Sequence, residues 1–147
     1  MRTQLILCLG IFLVSCTNKV SNTLVLNTED FKNFQLDSLG KNNESLLLFK
    51  DKVIDFGTIM EKQTSEILIY FPYANIGQSR LVIIKTDVSC NCLTAVNKSP
   101  PLSRGEVGSI EVLVNIRNKK GVFNKAIFIK SNATNDIEII RVKGFIK

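Results

Sequence analysis

The chain has 147 residues, 45% of them hydrophobic, with 19 lysines and arginines against 13 acidic residues and a net charge of +6. That length suits one domain, and that hydrophobic share suffices for a packed core, which excludes wholesale disorder. Histidine is absent, so Ser-His-Asp and Cys-His machinery is excluded and the commonest general base near neutral pH is missing.

At the N-terminus Arg2 is followed by the apolar run LILCLGIFLV (5–14), then Ser15 and Cys16. Crossing a bilayer takes about 20 apolar residues, so this run is too short to span and reads as an export signal over 1–15. Its ending, Leu13-Val14-Ser15-Cys16, resembles the bacterial lipobox, whose cysteine is acylated and becomes the first residue of the mature chain. The resemblance implies lipid on Cys16, no other cofactor, and a hold on the membrane that grows by about 0.8 kcal/mol per buried methylene. Removing 1–15 takes away Arg2 and no acid, so +6 becomes +5. Basic residues scattered over strands chiefly keep sheet surfaces and edges soluble, and no nucleic acid is expected as a partner.

Residues 16–45 are rich in Asn, Ser and Thr and read as a tether. If flexible, about 30 residues give a root-mean-square reach of about 30 Å. Within it, NTEDFKNFQLDSL offers Asn27 or Thr28 as a cap, acids in the first turn and Phe31 and Phe34 three apart, which predicts a short helix. From residue 46 the texture changes to short β-branched and aromatic runs, predicting strands at 46–50, 52–56, 65–74, 80–88, 93–96, 108–117, 122–130 and 137–146. The breaks GTIMEKQT, NIGQS, NKSPPLSRGEVG, RNKKG and SNATND are rich in turn formers. With no long helical pattern between them, these strands predict an all-β domain over 46–147, an antiparallel β-sandwich. Ile110, Val112, Val114 and Ile116 share one face, as do Phe123, Ile127 and Ile129, and Ile140, Val142 and Ile146, the mark of half-buried strands. The run from Ile67 to Tyr73 is apolar on both faces, which predicts a central or covered strand, while Pro72 suggests an edge or a bulge.

Chemistry concentrates on one stretch, TDVSCNCLTA (86–95). Of four cysteines, Cys8 leaves with the signal and Cys16 carries lipid, so Cys90 and Cys92 remain. Zinc wants four ligands and finds two thiolates and no imidazole. Copper(I) accepts few soft ligands, and Met60 is the other sulfur of the mature chain. A disulfide is sterically allowed in an exported domain, but a three-residue ring contributes less than the roughly 3 kcal/mol of a fifteen-residue loop and would reduce readily. The remaining reading is a strand ending where the chain crosses between sheets, with a sulfur packed as a small hydrophobe. Asp55, Asp87, Glu106 and Glu111 show no spacing that pairs two carboxylates, and the glycines sit singly, without a phosphate-cradling loop.

Read together, DFGTIMEKQTSEILIYFPYANIGQSRLVIIKTDVSCNCLTA, SPPLSRGEVGSIEVLVN, GVFNKAIFIKSNA and VKGFIK resemble the bacterial domain of unknown function numbered 1573. The matching features are Phe56-Gly57 with Ile59, the Asn75-x-Gly77 turn, the cysteine pair, Arg104-Gly105-Glu106 after a proline, Gly121-x-Phe123-x-Lys125, Ser131-Asn132 and Gly144. The resemblance implies an immunoglobulin-like sandwich of seven to eight strands, frequent in lipoproteins of the Bacteroidetes and without an established activity. The family's Cys-Gly-Cys is here Cys90-Asn91-Cys92, and asparagine tolerates the left-handed region better than other non-glycine residues. The expected function is therefore a membrane-tethered envelope lipoprotein that binds or scaffolds a protein or an envelope component without catalysis. The alternative is thiol-redox or copper handling by Cys90 and Cys92. No acids follow Cys16 in CTNKVSN, so the periplasmic side of the outer membrane is the expected location.

Overall fold

The computed structural model describes residues 43–147, so the signal, Cys16 and the short helix predicted near Phe31 lie outside the described residues. Eight strands follow in order: β1 (Leu47–Phe49), β2 (Val53–Ile59), β3 (Glu66–Asn75), β4 (Ile83–Val88), β5 (Leu93–Asn97), β6 (Val107–Asn115), β7 (Gly121–Ser131) and β8 (Ile137–Ile146). They form two four-stranded sheets, one ordered β1-β3-β6-β5 and the other β2-β8-β7-β4. The second half of a split first strand joins the second sheet. With that split, the order is the A-B-E-D and C-F-G arrangement of an immunoglobulin sandwich.

The alternation in β6 places Ile110, Val112 and Val114 at zero exposure, and Ile116 just beyond the strand is equally buried. They face Ile127, Ile129, Ile140 and Val142 from the other layer, all at zero exposure as well. Each such side chain stabilises the fold by about 1.5–3 kcal/mol on burial, so this shared layer holds both sheets in one unit. Phe71 and Tyr73 of β3 complete it, with the Phe49 ring 5.7 Å from that of Tyr73.

Three features differ from the sequence reading. First, the sandwich is not wholly antiparallel: β2 runs parallel to β8, with Val53 opposite Arg141 and Ile59 opposite Ile146. Parallel neighbours need a long connection, and here β3 to β7 supply it. Second, β2 continues through Gly57, where the register shifts and φ is +72°, a conformation glycine takes freely. The glycine is a bulge inside a strand and not its end. Third, Pro72 lies in an interior strand, paired with Ser109 of β6. Its carbonyl accepts from Lys50 N (3.0 Å) just past the end of β1, so its missing donor faces the point where that ladder stops.

Candidate functional site

The cysteine pair lies at the corner between layers. β4 ends at Val88 in one sheet and β5 begins at Leu93 in the other. Between them Ser89 N donates to Ala126 O (3.0 Å) and Ser89 Oγ accepts from Ala126 N (3.0 Å), tying the link to β7. Leu93 N then donates to Cys90 O (3.2 Å), a tight turn with Asn91 and Cys92 at its centre, and Asn115 N donates to Cys92 O (2.8 Å). Extended backbone thus gives way to a turn, and a disulfide joins Cys90 to Cys92 with Cα atoms 5.2 Å apart. Cys92 is 6% exposed within the core, while Cys90 packs against it half-buried. One sulfur is therefore sealed and the other borders solvent. Thr86 Oγ1 donates to Ala95 O (2.7 Å), a second tie between the two edge strands. Among the described residues no group of three or more Cys, Asp or Glu is placed to hold a metal ion.

A second feature is a surface that sequence reasoning only half found. The outward side chains of the β1-β3-β6-β5 sheet form apolar rows by register: Leu48 beside Ala74 beside Val107, and Leu68 beside Leu113. Tyr70 and Val96 flank Glu111 in the next row. Leu68 is 50% exposed and Val96 42%. Along its strands this outer face carries two charged residues, Glu66 and Glu111, whereas the outer face of the other sheet interleaves six: Asp55, Lys85, Asp87, Lys130, Arg141 and Lys143. The two outer faces thus differ in charge: the β2-β8-β7-β4 face interleaves its charges with exposed Val53, Val122, Phe128, Ile137, Ile139 and Phe145, while on the other face Leu68 and Val96 stand exposed with little charge around them.

The same sheet has an open edge. β1 pairs only with Tyr73, Ala74 and Asn75, so along 67–71 the side of β3 away from β6 has no strand beside it among the described residues. Backbone groups alternate in direction, and since the Pro72 carbonyl points to the β1 side, so do the N–H and C=O of Leu68 and Tyr70. Below them Thr64 Oγ1 both donates to Glu66 O (2.7 Å) and accepts from Glu66 N (3.3 Å), closing the edge at that end. The apolar character of 67–73 was readable from the sequence. That β1 would be too short to cover it was not, because strand length at a sheet edge depends on where the chain turns away.

Fold and topology together define an immunoglobulin-like β-sandwich domain. A family model extends across both sheets, residues 47–146, and the chain belongs to that family, described as a protein of unknown function (DUF1573). Among solved structures the chain is similar to a protein of unknown function from Porphyromonas gingivalis W83, at 16% identity and a TM-score of 0.60 over 69% of this chain and 46% of that one. It thus spans less than half the length of that relative. It is also similar to the ASH/PapD-like domain 7 of human CEP192, at 10% identity and a TM-score of 0.51, covering 73% of this chain and 89% of that domain. The VesB protease of Vibrio cholerae aligns at 14% identity and a TM-score of 0.52, over 71% of this chain and 32% of the protease. At these identities the likeness is one of fold alone. No curated protein matches the sequence.

Proposed function

We propose that this protein is a membrane-tethered lipoprotein of the cell envelope whose sandwich is a non-catalytic binding module for an extended segment of a partner protein. One observation carries the reading: β3 has an open edge along 67–71, where the backbone groups of Leu68 and Tyr70 point outward beside the exposed Leu68 side chain. A strand added there would pair with the free backbone groups of Leu68 and Tyr70, and its alternate side chains would cover the apolar rows. Lipid on Cys16 would hold the module at a membrane, on the periplasmic side of the outer membrane. The test is crosslinking in living cells with a photoreactive residue at position 68. A captured partner that is lost in Leu113→Glu, while the circular dichroism spectrum stays that of the folded domain, supports the module. Repeated absence of any captured protein, together with turnover of a substrate by the purified domain, rules it out.

The cysteine link favours a second reading, thiol–disulfide exchange. A dithiol reductant would give two electrons to the Cys90–Cys92 bond, leaving two thiols here and a disulfide on the reductant, and the half-buried Cys90 sulfur is the one a thiolate can approach. Copper handling would require that reduction first. Exchange with a small dithiol, followed by mass spectrometry of alkylated protein, separates the readings: a bond that stays intact in the folded state leaves no exchange role.

A further inference from the structure

The end of the sandwich away from residue 43 brings several lysines beside exposed apolar side chains, two of which, Val122 and Phe145, end the outer face of the β2-β8-β7-β4 sheet. Three links distant in sequence converge there. Met60, Glu61 and Lys62 follow β2, Lys120 precedes β7 and Lys147 follows β8, and together they line a pocket of about 270 Å³. Backbone hydrogen bonds fix the arrangement: Glu61 N donates to Lys147 O (3.1 Å) and Lys147 N to Ile59 O (2.9 Å). Asn118 N donates to Glu61 Oε1 (2.5 Å), which engages the one acid of the pocket. None of the ion pairs among the described residues uses Lys62, Lys120 or Lys147. Arg117 and Lys119 extend the same positive end.

Beside these cations lie side chains that solubility does not explain. Val122 is 84% exposed, directly opposite Phe145 (41%) in the β7–β8 ladder, and Met60 is 52% exposed. The other end of the sandwich, where the chain comes in, also exposes Val82, Ile84 and Ile137, but there Arg80, Lys98 and Arg104 stand against Glu44, Glu106 and Asp136, and Lys98 is paired with Glu111. A soluble polyanion is held by cations alone. An anionic bilayer takes both parts, with cations drawn to its surface potential and apolar side chains settling at headgroup depth.

We propose that this end of the sandwich is a contact surface for bilayers rich in anionic phospholipid, with Lys62, Lys120 and Lys147 at the headgroups and Met60, Val122 and Phe145 between them. The eleven residues of β7 set it about 35 Å from the other end of the domain. It requires neither lipid on Cys16 nor a partner on the apolar face.

The test is cosedimentation of residues 16–147 carrying Cys16→Ser, which keep the entire core and no acyl group, with vesicles of phosphatidylethanolamine with or without phosphatidylglycerol, at about 0.1 M salt. Binding is expected with phosphatidylglycerol only, weakened at least about tenfold in Lys62→Glu/Lys120→Glu and measurably in Val122→Ser/Phe145→Ser. The control Arg80→Glu/Arg104→Glu removes equal charge from the far end and is expected to bind as the parent does. Equal loss in that control overturns the proposal, since net charge would then be the cause. So does binding unaffected by the lysine changes, or retention on dextran sulfate with vesicle binding indifferent to the valine and phenylalanine changes, which would mark a polyanion site. Circular dichroism confirms that each variant is folded.

Discussion

Asn75 shows how much of the fold can hang on one side chain. It is fully buried, its Oδ1 accepts from Gly77 N (3.0 Å) and Leu46 N (3.4 Å), and its Nδ2 donates to Ser79 O (2.7 Å) and Leu102 O (3.0 Å). It thereby joins the segment before β1, the β3–β4 link and the β5–β6 link. Gly77 is needed beside it because a Cβ there would fall on the backbone of 44–46. The Asn-x-Gly signature, visible in the sequence as a turn, is thus a junction of three loops. Replacing Asn75 by Ala strands several buried groups and is expected to cost about 3 kcal/mol, read as a lower urea midpoint with an unchanged slope. Tyr73, 1% exposed, donates its hydroxyl to Asn97 Oδ1 (2.9 Å). Burial raises its pKa above the ordinary 10, outweighing the lowering by hydrogen bonds with Ser99 and Asn97. The fold favours the neutral phenol. The stability this contributes is whole below an unfolded value of about 10 and is lost as pH rises through the raised folded value. Denaturant melts across that range should show a shallower alkaline decline in Tyr73→Phe than in the parent.

At the scale of elements, alternation made most strands legible: β6, β7 and β8 show their buried faces in the sequence because a period of two is local. What was not local was not legible. The parallel pairing of β2 with β8 joins residues about ninety positions apart, and nothing in VIDFGTI states its partner. Gly57 looked like a strand end because glycine ends strands and makes bulges alike. The lysines at 62, 120 and 147 were invisible as a group, since only the closing of the sheets brings them to one pocket. The spacing of Cys90 and Cys92 left a disulfide open as one of several readings, and the hydrogen bond from Leu93 N to Cys90 O that closes the turn between them was not legible. A ring this short constrains the unfolded chain weakly, so reducing the bond should lower stability by roughly 1.5 kcal/mol. Urea melts with and without reductant measure this, and a loss above about 3 kcal/mol would mean that the link does more than close a ring.

Across the whole molecule, the split first strand decides how the domain is held. Ser45 Oγ donates to Asn132 O (3.1 Å), Thr134 N donates to Ser45 O (3.0 Å), and Asn135 brackets Leu47, accepting from its N–H (3.1 Å) and donating to its C=O (2.8 Å). Those partners belong to the β7–β8 turn of one sheet, while β1 itself pairs with β3 of the other, and the chain then crosses to lie along β8. A pull on the chain ahead of residue 43 therefore meets both layers at once. The load divides between a short ladder and a polar clasp instead of peeling one edge strand, and whatever remains is passed to β2, which is pulled along its length against β8. Tension applied from the N-terminal side would therefore load a joint that engages both sheets before any strand is peeled away.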